Sequence, residues 1–151
     1  HVYRLIGRIG TSRLVTRLHT RAYRLTGGRG PIGRNLGMLN VIVIATGRTT
    51  GRRREVPLFA VEDGDRLVVI GSNAGRQRDP AWVANLRADP EVHVLVGARR
   101  RAVRAREVHD DERDRLWALA THAYPGYEDY ARWTERRIPV FALEPAGDGG
   151  A

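Results

Sequence analysis

The chain has 151 residues, no cysteine, 42% hydrophobic residues and a formal net charge of +9. That is enough for one hydrophobic core and too little for two domains, and it excludes disulfide frameworks and thiolate metal sites. All 26 basic residues are arginine, a bias read as codon usage in a GC-rich genome although planar guanidinium forks would suit phosphate and carboxylate; the positive charge itself still leads to an expected anionic partner.

No recognition-helix, zinc-finger or aromatic RNA-binding pattern accompanies the charge, so nucleic acid ranks below a small anion. No apolar run is long enough to span a bilayer and no signal peptide is visible, which predicts a cytoplasmic protein. His1, His19, His93, His109 and His122 show no ligand spacing with one another or with paired carboxylates, so no metal is expected.

Residues 2–25 read as two helical pieces broken near Gly7, Gly10 and Thr11, with Ser12 capping the second. In that piece Arg13, Arg17, Arg21 and Arg24 share one stripe, while Leu14, Val15, Leu18, Ala22 and Leu25 cover another. Such a helix either docks its leucines on the domain with a solvated arginine face, the favoured reading, or lies on an anionic membrane. Gly28, Gly30 and Gly33 make a formal G-x-G-x-x-G, but a helix precedes it and Pro31 interrupts it, so residues 27–38 are expected to be a linker.

Apolar runs then predict strands over 39–46, 53–62 and 66–72, buried on both faces, with an Asp63-Gly64 hairpin joining the last two. The first hairpin, Thr46-Gly47-Arg48-Thr49-Thr50-Gly51-Arg52-Arg53-Arg54, carries four arginines on a glycine-pinned loop, where backbone N–H groups and guanidinium forks can converge on an anion. Asp79-Pro80 is expected to cap and open a short helix that ends before Asp89-Pro90. Val92, Val94 and Val96 alternate as a half-buried strand, and Val103 and Ala105 face opposite Arg104 and Arg106 on the next. Asp110-Asp111-Glu112 opens a helix with Leu116, Leu119, Ala120 and Ala123 inward, a further helix ends near Arg136-Arg137, and 138–143 forms the last strand. The expected class is mainly β with flanking helices (α+β), a small antiparallel barrel over 39–145 between an N-terminal helix (1–26) with its linker and a flexible tail at 146–151.

The Thr46-Gly47-Arg48-x-Thr50-Gly51 loop, Arg54-x-x-Pro57-Leu58, Trp82-x-x-Asn85-Leu86-x-x-Asp89-Pro90-x-Val92, Tyr124-Pro125-x-Tyr127-x-x-Tyr130 and Arg137-Ile138-Pro139-Val140 together resemble the deazaflavin-dependent nitroreductase and quinone reductase family. The resemblance implies a split β-barrel of the flavin-mononucleotide-binding type and an oxidoreductase. Its cofactor would be reduced coenzyme F-420, an 8-hydroxy-5-deazaflavin with a phosphate and an oligoglutamate tail, flavin mononucleotide being less favoured. The implied acceptors are quinones or nitro-aromatic compounds. It assigns Arg48 and Arg54 to the anionic part of the cofactor, with Arg52 and Arg53 weaker candidates, and adds Thr49, Thr50, Gly51, Pro57, Phe59, Gly71, Ser72, Asn73, Arg76 and Trp82 to the cofactor site. Thr49 and Asn73 stand where many relatives carry lysine, and Phe59 where many carry tyrosine. Tyr124, Tyr127 and Tyr130 would line the substrate pocket as donors, with Ser72 beside them; no His and carboxylate adjoin Ser72 to make it an acyl-transfer nucleophile. Trp82 is read first as a core anchor. A homodimer and peripheral contact with the inner face of the cell membrane are compatible with this assignment. The rival is a non-catalytic carrier using the same barrel for a flavin, a tetrapyrrole or a fatty acid.

Overall fold

The computed structural model describes residues 13–29, 34–35 and 38–147. In chain order these form α1 (Arg13–Thr26), β1 (Arg34–Asn35), β2 (Met38–Thr46), β3 (Arg53–Asp63), β4 (Arg66–Ile70), a 3-10 turn (Asn73–Gly75), α2 (Ala81–Ala88), β5 (Glu91–Val96), β6 (Arg99–Glu107), α3 (Asp110–Ala123), α4 (Gly126–Arg132) and β7 (Val140–Pro145). The strands run β2-β3-β4-β7-β6-β5, all antiparallel, and β5 pairs back onto β2 to close a six-stranded barrel. The expected barrel is therefore present, and closure leaves these strands without a free edge.

Strand parity explains the two-sided burial of the apolar runs. Val41, Val43 and Ala45 of β2, Ala60 of β3, Leu67 and Val69 of β4, and Phe141 and Leu143 of β7 fill the interior with Trp82, Val83 and Leu86 of α2. The alternate residues face outward and are covered too: Val68, Ile70, Val140 and Ala142 by α3 and α4, and Ile42 and Ile44 by Tyr23 of α1. Each large side chain buried in this way contributes about 1.5–3 kcal/mol.

Several expectations need correction. The last helix stops at Arg132, four residues early, because Thr134 is buried and its hydroxyl turns to Gln77 Oε1 at 3.1 Å. The final strand begins at Val140 and runs to Pro145. The segment 27–38 is not wholly linker: Gly27 and Gly28 (φ 60° and 67°) cap α1, and Arg34–Asn35 pairs with Met38 and Leu39. A Cβ on Gly28 would lie 2.8 Å from both Gly97 and Tyr23, so this glycine serves close packing; Gly30 and Gly33 lie outside the described residues. So do the first helical piece, Ser12 and residues 148–151.

The docking face of α1 also reverses expectation. Tyr23 is fully buried and its hydroxyl accepts from Gly97 N at 2.5 Å, whereas Leu14, Leu18 and Leu25 are 67%, 59% and 79% exposed on the opposite face. One ring that fills a hole and satisfies the backbone of the β5–β6 turn outweighs three leucines on the wrong side of the wheel.

On the barrel wall Asp63, Arg66, Arg106, Glu112, Arg115 and Glu144 form one ion-pair network. Hydrogen bonds from Arg115 and Arg66 hold the Asp63 carboxyl down to about 2, and those from Arg106 and Arg66 hold Glu112 down to about 2. Because both folded-state values lie below the ordinary carboxyl range, their stabilisation is complete above that range and disappears as protons bind the folded protein. The melting temperature should hold down to about pH 5 and fall between about pH 5 and pH 2, each group contributing roughly 1 kcal/mol after solvent screening. Asp63→Asn with Glu112→Gln should flatten that fall in a pH series of thermal melts, and an equal fall in parent and variant would remove the network as its source.

Candidate functional site

The β2–β3 hairpin is held by its own backbone. Gly47 N donates to Arg52 O at 2.8 Å, Gly51 N to Gly47 O at 2.8 Å, and Arg52 N to Thr50 Oγ1 at 3.2 Å. Gly51 has φ 65°, a left-handed turn position where a Cβ would be strained. A Cβ on Gly47 would meet Thr50 Oγ1 at 2.9 Å and Arg54 Nε at 3.2 Å, so the loop closes on itself tightly. From below, Asn85 Oδ1 of α2 accepts the Arg48 N–H at 3.0 Å. Asn85 is buried, one turn after Trp82 on a core-facing stripe. Its position in the Trp82-x-x-Asn85 motif was the only signal, and sequence reasoning gave it no role.

Parity separates the arginines. Arg54 shares the side of Val56, Leu58 and Ala60, which pack into the interior, so it stands over the barrel end and donates to Thr50 Oγ1 at 3.3 Å. Arg53 faces outward and pairs with Glu55 at 2.6 Å, and Glu55 also binds Arg24 of α1. Among the described residues Arg48, Arg52 and Arg54 form no ion pair, whereas Arg66, Arg87, Arg106, Arg115 and Arg136 all pair with carboxylates. Thr49, Thr50 and Gly51 are exposed beside them, Pro57 is half-buried on β3, and Phe59 is 41% exposed. A fixed loop that keeps three guanidinium groups without internal counter-charges fits an anionic ligand.

The second predicted segment follows β4. Gly71 N donates to Pro139 O at 2.8 Å, and a Cβ on Gly71 would lie 2.9 Å from Val83 Cγ2 and 3.3 Å from Pro139. The missing side chain therefore admits α2 and the 138–139 segment, which accounts for this glycine without a ligand. Ser72 is buried, and Asn73 (φ 45°) and Ala74 (φ 53°) take consecutive left-handed conformations. Asn73 Nδ2 donates to Arg78 O at 2.8 Å, which holds this otherwise unfavourable turn. Arg76 is exposed. Trp82 is 7% exposed and packs edge-on against Phe141 with ring centroids 5.8 Å apart, so it is a core anchor.

Asp79 does not cap the helix that follows it. Pro80 occupies the cap position without a side-chain bond, and the Asp79 carboxylate instead accepts from Arg136 Nη1 at 2.6 Å and Arg87 Nη1 at 3.4 Å. Arg87 in turn forks onto Glu107 of β6 at 2.7 and 2.8 Å. Thus α2 braces both segments, the hairpin through Asn85 and the 71–79 loop through Arg87 and Asp79.

Tyr124, Tyr127 and Tyr130 are all buried in the outer cluster under α3 and α4. Their rings meet edge-on or tilted at 5.1–6.3 Å, and the Tyr124 and Tyr130 hydroxyls are 3.1 Å apart. Burial pushes the Tyr127 phenol well above its usual value, with Tyr130 adding to the shift, so it stays protonated at neutral pH. Gly75 of the 3-10 turn abuts this cluster: a Cβ there would be 3.1 Å from Tyr130 O and 3.2 Å from Trp133. The structure thereby brings Ser72–Gly75 against the tyrosine helix.

A family model described as F-420H(2)-dependent quinone reductase matches residues 15–145, which span this hairpin, loop and tyrosine helix. The chain belongs to that family. An F-420H(2)-dependent quinone reductase of Mycobacterium tuberculosis is 36% identical over 132 residues, 84% of this chain and 87% of the relative. A solved F-420-H(2) dependent reductase (FDR-A) superposes with TM-score 0.65 at 38% identity, covering 70% of this chain and 93% of that one. A structure described as a domain-swapped dimer gives TM-score 0.68 at 35% identity, with 85% and 96% covered. Membership of the F-420H(2)-dependent quinone reductases implies coenzyme F-420, whose phosphate and carboxylates match the charge that Arg48, Arg52 and Arg54 leave uncompensated. No helix among the described residues is long and apolar enough to cross a membrane.

Proposed function

We propose that this protein reduces quinones, and nitro-aromatic compounds as a second acceptor class, with reduced coenzyme F-420 as the electron source. When bound, that cofactor supplies the hydride. The protein's own work is placement and charge. Arg48 and Arg54 hold the phosphate and acidic tail by charge-assisted hydrogen bonds, with Arg52 beside them. Phe59, Ser72 and Asn73 meet the ring system, Ser72 as a hydrogen-bond donor. Tyr124, Tyr127 and Tyr130 are the candidate phenols to donate toward the acceptor oxygen as negative charge develops there, and burial keeps the Tyr127 phenol protonated. The observation that carries this reading is the hairpin's three arginines, Arg48, Arg52 and Arg54, which form no ion pair among the described residues of a member of this family. Mixing the protein with reduced F-420 and menadione tests it: cofactor oxidation that depends on both is expected, and binding without oxidation would leave the carrier reading instead.

The exposed face of α1 supports a second proposal, contact with the anionic inner surface of the cell membrane. Leu14, Leu18 and Leu25 project away from the barrel, with Arg17 and Arg21 exposed beside them. The protein should co-float with anionic vesicles, and Leu14→Ser, Leu18→Ser, Leu25→Ser together should reduce the floated fraction severalfold. Equal flotation of parent and triple variant would remove this contact. A homodimer is proposed on the relative described as a domain-swapped dimer; a single-chain mass by light scattering would sink it.

A further inference from the structure

Arg136 is not among the residues proposed to touch a ligand, yet its guanidinium makes four hydrogen bonds beside the site. Its side chain is 14% exposed. Nη2 donates to Gly71 O at 3.0 Å and to Ser72 O at 2.8 Å, Nε donates to Arg76 O at 2.8 Å, and Nη1 donates to Asp79 Oδ1 at 2.6 Å. One guanidinium therefore spans the 71–79 loop from Gly71 to Asp79, two residues before α2. Only a planar fork with donors in several directions can do this; an ammonium is a single point.

What it holds is a loop with little intrinsic reason to keep its shape. Asn73 and Ala74 both sit at positive φ, a conformation that residues other than glycine keep only where the surroundings fix it. Neighbouring residues of the same C-terminal segment reinforce the grip: Gln77 Nε2 donates to Trp133 O at 3.2 Å, Glu135 N to Gln77 Oε1 at 3.3 Å, and Gly71 N to Pro139 O at 2.8 Å. The segment 133–139 thus serves as a template on which the loop is moulded, and Arg136 is its centre.

We infer that Arg136 is a positioning residue for cofactor binding: by gathering the carbonyls of Gly71, Ser72 and Arg76 and the carboxylate of Asp79, it fixes Ser72 and Asn73 in the conformation the deazaflavin meets. This rests on the assignment of that loop to coenzyme F-420. A loop already held by this clamp binds without a further ordering cost, so removal of the clamp moves that cost into the binding step.

The test uses the full chain with Arg136→Lys and Arg136→Ala, each titrated with coenzyme F-420 by fluorescence and followed by amide hydrogen exchange. Arg136→Lys keeps the charge and is the variant to rely on if Arg136→Ala fails to fold. Both should raise Kd about tenfold or more, the worth of one lost charged hydrogen bond to the loop. Exchange should quicken in 71–78, with the barrel strands protected as in the parent, and guanidinium added to Arg136→Ala should restore part of the affinity. A Kd within twofold of the parent despite faster loop exchange would overturn the inference. So would protection lost equally throughout the barrel without guanidinium rescue, which describes a general structural arginine. Failure of the parent protein to bind F-420 would instead strike the cofactor assignment itself.

Discussion

Replacing Arg48 and Arg54 together by glutamine should weaken binding of coenzyme F-420 by about a hundredfold, with the melting temperature within a few degrees of the parent. A charge-assisted hydrogen bond to phosphate or carboxylate is worth roughly 1.5–3 kcal/mol, so two losses amount to about 3 kcal/mol or more, and every 1.4 kcal/mol is tenfold. Stability should barely change because neither side chain is ion-paired among the described residues; the one bond lost is Arg54 to Thr50 at 3.3 Å. Arg53→Gln is the internal control, since Arg53 faces outward onto Glu55 and should alter affinity less than threefold, within the reach of a solvent-screened charge. Titration at low and high salt adds a second reading: the parent's affinity should fall steeply with ionic strength and the double variant's much less. An unchanged Kd in the double variant would end the hairpin's role as the anion site.

The barrel was legible because alternation survives in the chain. Val92 and Val94, or Val103 and Ala105, announce one inward face, and the uninterrupted apolar run of β2 announces two. The hairpin's glycine-pinned shape and its run of arginines were legible because composition and glycine spacing are local. What could not be read were choices settled by partners far along the sequence. Asp79-Pro80 looks like a cap and first turn, yet the carboxylate goes to Arg136, 57 residues away, because a half-buried guanidinium offers a stronger bond than a helix N–H. The leucine stripe of α1 looked like a docking face, but the groove at the β5–β6 turn accommodates Tyr23, and that is a property of Gly97 and Gly28, not of the helix. Gly71 looked like room for a ligand, and the room is taken by Val83 and Pro139.

Asn85 offers the sharper test of how the hairpin is kept ready. Asn85→Ala removes the acceptor of the Arg48 N–H and leaves a gap beneath the loop; Asn85→Asp keeps an oxygen in place. Losing the acceptor of a part-buried amide costs about 1–3 kcal/mol, so the alanine variant should melt several degrees lower and bind F-420 about tenfold more weakly. The aspartate variant should keep the Arg48 amide protected from hydrogen exchange, yet lose affinity too, because it sets a negative charge under the loop proposed to hold an anion. The two variants therefore separate geometry from charge: alanine lowers protection and affinity together, aspartate affinity alone. Should the Arg48 amide exchange as slowly in Asn85→Ala as in the parent, the Gly47–Arg52 and Gly51–Gly47 bonds would be enough to hold the hairpin by themselves, and the contribution of α2 to the anion site would have to be given up.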